Sequence, residues 1–428
     1  MNDSVPASDL YTPTSPRPGA LDRLLRAQFV SRLSGLEQGR VVLDDRSGRC
    51  VLGKAAGVST DLDVHIEVLD PAFYRAVAAN GSVGAGEAYM QGLWRCDDLV
   101  GLVRLLVRNR AHLDGLESGI ARAGSWLLRG WHALRRNTLA GATRNIAAHY
   151  DLGNDFFALF LSPDLMYSSA LWEGEGDTLE AASVRKLERI CQKLDLTPGD
   201  HVCEVGSGWG GFAFYAAERY GCRVTTVTLS RQQHALVTRQ IEERGLGARI
   251  RVLLQDYREL SGQFDKVVSI EMIEAVGAEY LGTYFAKVAS LLKPGGLALI
   301  QAITIEDHRY AQALASVDFI KRHIFPGSFI PSLQAILTEK MRACELSLVH
   351  LEDFGISYAR TLQAWRTRFL RNLPQVRALR FDERFIRMWE YYLAYCEGGF
   401  RERSIGVAHL VFEKPRIPPL AAEPLKPS

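Results

Sequence analysis

The sequence predicts an α/β protein, a doubly wound parallel sheet preceded by a smaller N-terminal α+β module. Three observations predict it. Short apolar runs alternate with amphipathic helical stretches between residues 201 and 303, a strand, a glycine-rich turn and a helix start follow one another over 202–212, and a region of different texture comes before both. The 428 residues, 47% of them hydrophobic, suffice for buried cores in two or three domains and exclude a wholly disordered chain.

Residues 1–20 are rich in Pro, Ser and Thr without apolar periodicity and read as a disordered lead-in. Residues 21–137 form the first module, with strand-like runs at 41–43 and 64–69 and helical periodicity from Leu99 onward. The second domain is assigned to 138–415. Its expected order is strand 201–205, helix from Phe212, strand 223–229, helix from Arg231, strands 250–254 and 266–270, helix from Tyr280, and strand 297–303. The turn Leu292-Lys293-Pro294-Gly295-Gly296 is expected to end one helix and lead into the next strand. A mostly helical stretch follows before strands at 346–351 and 405–412, and 416–428 is a tail. No internal repeat is visible.

No run approaches the roughly 18 apolar residues that cross a bilayer, and the first twenty residues lack both a basic and an apolar signal region, so a cytoplasmic location is expected. The seven cysteines are scattered, odd in number and never spaced C-x-x-C, which predicts buried reduced thiols. His308, His323 and His409 have no partner at metal-ligand spacing, so no metal is expected. A formal charge of +2 gives no reason to expect nucleic acid. Local charge is another matter. Residues 100–137 carry seven arginines against Asp114 and Glu117, with Trp126 and Trp131 among them, a net of +5. Such a stretch can lie on an anionic membrane surface, or can form an interdomain helix pair with a solvated arginine face.

The richest chemistry lies in Glu204-Val205-Gly206-Ser207-Gly208-Trp209-Gly210-Gly211. The glycines allow a tight turn and close approach of a ligand to free N–H groups at the helix start. Read as G-x-G-x-x-G the run would also suit a dinucleotide. Two details argue against that. Glu204 stands two residues before the first glycine, where it can bond the hydroxyls or amino group of a compact nucleoside but would repel a pyrophosphate; and about 20 residues on, Thr228-Leu229-Ser230 offers no acid for a ribose. Asp256 and Tyr257, closing the third strand, could hold adenine. Together these favour S-adenosylmethionine.

Further segments give a specific match: Ala148-His149-Tyr150-Asp151-Leu152-Gly153-Asn154-Asp155-Phe156-Phe157, Met166-Tyr167-Ser168-Ser169-Ala170-Leu171-Trp172, Gly86-Glu87-Ala88-Tyr89-Met90, Ile324-Phe325-Pro326-Gly327 and Tyr358-Ala359-Arg360-Thr361-Leu362. On these the chain resembles the cyclopropane-fatty-acyl-phospholipid synthase family, which includes the mycolic acid methyltransferases. The resemblance implies a seven-stranded class I SAM-dependent methyltransferase (Rossmann-like) sheet and an unsaturated acyl chain of a membrane phospholipid as substrate. It places cofactor contacts at Tyr167, Ser168, Gly206, Gly208, Thr228, Gln233, Asp256 and Tyr257, beside the Glu204 and Gly210 of the turn. It places carbon chemistry around Ser169, Glu274, Gln301, Ile303 and Tyr358, where family members hold a bicarbonate ion. Here Ser169, Ala275 and Gln301 stand where the family usually has cysteine, histidine and histidine. Ser169 and Gln301 can hydrogen-bond an anion but supply no charge, which weakens the case for bicarbonate.

An isolated alkene is a poor nucleophile, so the reaction needs in-line placement against a sulfonium methyl in a dry site, support for a carbocation, and a base. Loss of a proton from the new methyl closes a cyclopropane; loss from the chain leaves a methyl or methylene branch. Glu274 is assigned the base or base-holding role. Glu271, three residues earlier, is either a solvated helix start or a second active-site carboxylate. His149 and Tyr150 begin either a loop over the cofactor or a structural cap. The aromatic series from Trp365 to Tyr395 is expected to be core more than acyl tunnel. The expected enzyme works peripherally at the inner membrane surface, its N-terminal module gripping lipid or a partner subunit, with a homodimer left open. Methylation of a soluble small molecule, or a binding protein that no longer catalyses, are the other readings.

Overall fold

The computed structural model describes residues 17–54, 62–114 and 152–416. The basic stretch beyond residue 114, the His149-Tyr150 pair and the tail beyond 416 lie outside the described residues.

The N-terminal part packs α1 (Ala20–Ser34), α2 (Ala72–Met90), α3 (Leu99–Arg108) and the short α4 (Arg110–Asp114) around a small sheet. That sheet holds β1 (Gly39–Asp45), β2 (Gly48–Lys54), β3 (Asp63–Val68) and β4 (Trp94–Cys96) in the order β2-β1-β3-β4. Alternation in β1 sends Val41 and Leu43 inward beside Val64 and Ile66 of β3, their parallel partners. Asp98 caps α3 by accepting the Gly101 N–H at 2.9 Å. α2 is broken at Gly81 (φ 56, ψ −129), a conformation few residues other than glycine adopt.

The second sheet runs β10-β11-β9-β8-β5-β6-β7. Its strands are β5 (His201–Val205), β6 (Arg223–Thr228), β7 (Ile250–Leu254), β8 (Phe264–Ile270), β9 (Leu292–Ile305), β10 (Ser347–Asp353) and β11 (Ile405–Glu413). The helices are α5 (Asn154–Ala158), α6 (Leu179–Lys193), α7 (Gly211–Arg219), α8 (Arg231–Glu243), α9 (Leu281–Leu291), α10 (Asp307–Ala315), α11 (Leu333–Ala343), α12 (Gly355–Arg371), α13 (Leu373–Ala378) and α14 (Glu383–Arg401). Residues of α6, α7 and α8 cover one face and residues of α9 and α11 the other, as expected of near-continuous apolar strands.

Two features differ from the sequence reading. The sheet is parallel only from β9 to β7; β11 runs antiparallel to both neighbours. The cause is α14, which leaves the chain at the edge where β9 ends, so that Ile405 pairs with Ile305 and the strand returns downward. And β9 begins at Leu292, directly after α9, with Pro294-Gly295-Gly296 as an irregularity inside it: Phe264 pairs with Leu292 but Lys266 already pairs with Leu297.

One apolar cluster joins both sheets' surroundings, from Val41 and Trp94 to Trp365 and Trp389. Across that junction the Tyr89 hydroxyl donates to Glu390 at 3.0 Å, and Arg104 and Arg108 each meet the Glu402 carboxylate at 2.8 Å, which binds part of the basic stretch to α14's end. The aromatic series divides: Trp365, Phe369 and Trp389 are core, whereas Tyr391, Tyr392 and Tyr395 line a cavity. Phe156 lies at the centre of the core set, within 4.9 Å of both Phe381 and Trp389 by ring centroids. Phe156→Ala is therefore expected to cost about 3–5 kcal/mol, whereas Val184→Ala on the exposed side of α6 stays within about 0.5 kcal/mol; urea denaturation of the two variants checks both figures.

Candidate active site

The carboxyl ends of β5, β6 and β8 open into a cavity of about 860 Å3, the place where open α/β sheets bind ligands. At one end is the glycine turn. Gly206 has φ +93, and a Cβ there would fall 2.6 Å from the Met272 side chain; at Gly211 a Cβ would meet the Met166 sulfur at 2.4 Å. The second glycine thus lets the segment carrying Tyr167 and Ser168 lie against the start of α7. Tyr167, Ser168, Glu204, Gly206, Gly208, Thr228, Gln233 and Tyr257 all line this cavity. Gly210, at the N-cap of α7 with φ +90, and Asp256 do not. The Asp256 carboxylate is turned onto the Arg258 guanidinium, at 2.8 and 2.7 Å, so it fixes the corner rather than facing a ligand.

The residues present fit S-adenosylmethionine. Among the described residues, Glu204 Oε2, Gln233 Nε2 and the Tyr257 hydroxyl are buried without a hydrogen-bond partner, all three on side chains lining the cavity. Buried polar groups in native proteins are paired, so these three mark where a polar ligand bonds. Burial pushes the Glu204 carboxyl up to about 8. Gln233 Oε1 is held by the Thr228 hydroxyl at 2.8 Å, which turns the amide NH2 outward. Asn154, from the segment read as a loop or cap, accepts the Trp209 indole N–H at 2.7 Å and so anchors the turn.

At the end of β8 the structure settles what Glu271 does. It is no solvated helix start. Its Oε1 accepts the Ser169 backbone N–H at 2.8 Å and the Gln301 amide at 2.7 Å, and its Oε2 accepts the Tyr358 hydroxyl at 2.6 Å. Its backbone sits at φ +49, a left-handed conformation that costs a non-glycine residue about 1–2 kcal/mol and persists where surroundings over-determine it. Three of the groups expected around bicarbonate are therefore bonded to a carboxylate of the chain itself. Ser169 and Gln301 are fully buried and do not line the cavity, and the Ser169 hydroxyl donates to the Ala170 carbonyl. The residues present do not fit a free bicarbonate ion.

Glu274, one turn on, lines the cavity; its Oε1 accepts the Ile303 N–H at 2.5 Å and its Oε2 has no partner among the described residues. Burial, then the charge of Glu271, push it up to about 8. Glu271 is also raised by burial, but Tyr358, Ser169, Gln301 and Lys186 oppose that rise, so Glu271 is the first of the pair to ionise. Lys186 was missed by the motif reading. It is fully buried on α6, its ammonium 2.9 Å from the Ser168 hydroxyl. Burial lowers it to about 8, with Glu271, Asp164 and Glu204 resisting the fall. The signal was present: Lys186 falls on the apolar face of α6 with Leu179, Ala182 and Ile190, where a solvated lysine has no place.

The N-terminal side of the cavity is mostly apolar, with Gln28, Arg32, Asn80, Ser82 and Arg110 as its polar members. Leu25 and Phe29 of α1, Val77 of α2 and Leu106 of α3 form its wall, so the N-terminal elements and the catalytic sheet enclose one space. Glu204→Gln is expected to weaken S-adenosylmethionine binding by about tenfold while stabilising the ligand-free protein. Its carboxyl titrates near 4.5 when unfolded and about 8 when folded, so the unfolded state binds fewer protons between those values and the wild type loses stability as pH rises through that window. The gain from the substitution should thus be largest at and above pH 8 and vanish below 4.5, which melting curves across pH would show.

Comparison with known proteins agrees with this geometry. The family model described as mycolic acid cyclopropane synthetase matches residues 138–410. The chain is 39% identical to the cyclopropane-fatty-acyl-phospholipid synthase of Escherichia coli K12 over 352 residues, covering 82% of this chain and 87% of that one. It is 38% identical to the tuberculostearic acid methyltransferase UfaA1 of Mycobacterium tuberculosis over 350 residues, 78% of this chain and 80% of that one. The mycolic acid cyclopropane synthase CmaA1, solved with SAH and CTAB, superposes with a TM-score of 0.60 at 30% identity over 64% of this chain and 98% of its own. With the match spanning the glycine turn, Glu271 and Glu274, the chain belongs to the mycolic acid cyclopropane synthetase family and is an S-adenosylmethionine-dependent methyltransferase.

Proposed function

We propose that the protein adds a one-carbon unit to the double bond of an unsaturated acyl chain of a membrane phospholipid and closes it to a cyclopropane. One observation carries this reading: a single cavity joins the cofactor turn to an apolar arm, with Glu271 and Glu274 near the junction. When bound, S-adenosylmethionine supplies a methyl group on a sulfonium, an electrophile strong enough for an isolated alkene.

The chain's own residues have three tasks. The apolar wall excludes water and holds the acyl chain straight against the turn. The rings of Tyr167, Tyr358 and Tyr392 line the space where positive charge develops on the acyl chain once the new carbon–carbon bond forms, and ring faces attract cations. Their order is tight: the Tyr167 and Tyr392 hydroxyls are 2.8 Å apart. Glu271, whose three donors favour its carboxylate form against burial, takes a proton from the added methyl; the electron pair of that C–H bond closes the ring. Glu274, anchored by the Ile303 N–H, lines the same cavity as a second carboxyl that burial and the charge of Glu271 keep protonated to higher pH.

The second reading is a methyl- or methylene-branched product, in which the proton leaves another carbon. The resemblance to a protein named as a tuberculostearic acid methyltransferase rather than a cyclopropane synthase, and the standing of Ala275 and Gln301 where the family usually has histidines, support it. We further read the N-terminal module, residues 21–137, as the part that meets an anionic membrane surface at the cytoplasmic face; among the described residues no helix is long and apolar enough to cross a membrane.

Incubation with methyl-labelled S-adenosylmethionine and monounsaturated phospholipid vesicles should place label in acyl chains; label absent from lipid while the cofactor binds would overturn the assignment. Mass spectrometry after double-bond-specific derivatisation separates cyclopropane from methylene products. Glu271→Gln should lower kcat at least about a hundredfold with cofactor affinity kept, and Glu274→Gln, which preserves the bond to Ile303, by about tenfold or less. Flotation with anionic vesicles tests the membrane surface, and sedimentation of the same sample distinguishes a monomer from the homodimer.

A further inference from the structure

A row of polar side chains crosses the sheet beneath α6. Glu352 on β10 pairs in register with His409 on β11, His409 with Gln301 on β9, and Gln301 with Ile270 on β8, the residue before Glu271. Cross-strand partners share a face, so the three polar side chains point the same way. There they meet Lys193 in the last turn of α6. Its ammonium lies against the Glu352 carboxylate and 3.0 Å from His409 Nδ1. His409 Nε2 lies 3.0 Å from Gln301 Oε1, and Gln301 Nε2 lies 2.7 Å from Glu271 Oε1.

The chemistry of these groups leaves one arrangement of protons. An ammonium can only donate, so His409 Nδ1 must accept and the ring proton sits on Nε2. Nε2–H then donates to the Gln301 carbonyl oxygen. That leaves the Gln301 NH2 facing Glu271, and the Ser169 carbonyl at 3.4 Å. A reversed amide would set its oxygen against the Glu271 carboxylate with no proton between them. The imidazole is fully buried, with the Phe354 ring 4.7 Å away by centroids, and burial with the nearby charge of Lys193 holds it neutral, well below its ordinary range.

We propose that Lys193 and His409 are positioning residues: by fixing the histidine tautomer they orient the Gln301 amide, which in turn holds the Glu271 carboxylate in the geometry of the proposed base. The proposal rests on the reading of Glu271 as that base. In isotope-labelled full-length protein, the His409 imidazole, assigned by its loss in His409→Phe, is expected as the neutral Nε2–H tautomer near pH 7.5. Lys193→Met should bring in the Nδ1–H form and lower kcat about tenfold, with the dissociation constant of S-adenosylmethionine changed by less than about twofold. Lys193→Arg, which keeps a donor, should restore the tautomer and most of kcat. A charged or Nδ1–H His409 in the wild type overturns the proposal, and that spectrum decides even where Lys193→Met does not fold. So does a Lys193→Met protein with unaltered kcat, whatever its tautomer. Full activity in Glu271→Gln would instead remove the base assignment, with the tautomer still read independently from the spectrum.

Discussion

The site depends on accommodating one carboxylate, that of Glu271, inside the protein, where burial raises its pKa and hydrogen bonds oppose the rise. Taking such an ion out of water costs several kcal/mol unless hydrogen bonds and opposite charge replace its hydration. The replacements come from four separate pieces of chain: the Ser169 backbone, Gln301 on β9, Tyr358 on α12 and the buried ammonium of Lys186 on α6. Each must be placed for the charge to be tolerated, so the sheet, the helix over one face and the helices above its edge are fixed relative to one another by the needs of a single group. The left-handed backbone at Glu271 is the local strain this constraint imposes.

Around it the polar groups divide their work by environment. Glu204 and Glu274 are pushed up by burial and keep an oxygen without a partner, which suits groups that wait for a ligand or support a neighbour. Glu271 has both oxygens engaged by donors, two on Oε1 and one on Oε2, so that Oε2 keeps one lone pair for the proton in the proposed base role. Such an arrangement sacrifices stability in the ligand-free protein for readiness, a trade common at active sites.

Much of this was legible in the sequence because local chemistry dictated it. The glycine turn with Glu204, the parallel strands and the caps follow from backbone geometry, and the family motifs located Tyr167, Glu274 and Tyr358. What stayed hidden depended on packing between distant segments. Whether Glu271 faced water could not be decided from its spacing to Glu274; its donors lie 102, 30 and 87 residues away. Asp256 looked like an adenine ligand only because Arg258, two residues on, was not weighed as its partner. The direction of β11 needed the path of α14, and His409, read only for metal spacing, acquires its role from strands that the sequence does not pair.

The wall of the apolar arm has a separate consequence. Leu25, Phe29, Val77 and Leu106 lie ahead of the segment matched by the family model, which begins at residue 138. In the proposed reading, the depth available to a hydrocarbon tail is thus gauged by a part of the polypeptide that takes no share in bond making. On that reading, substitutions in the gauge would lengthen or shorten the accepted tail while leaving the reacting carbons where they are, so that preference among lipids and competence for chemistry would diverge independently.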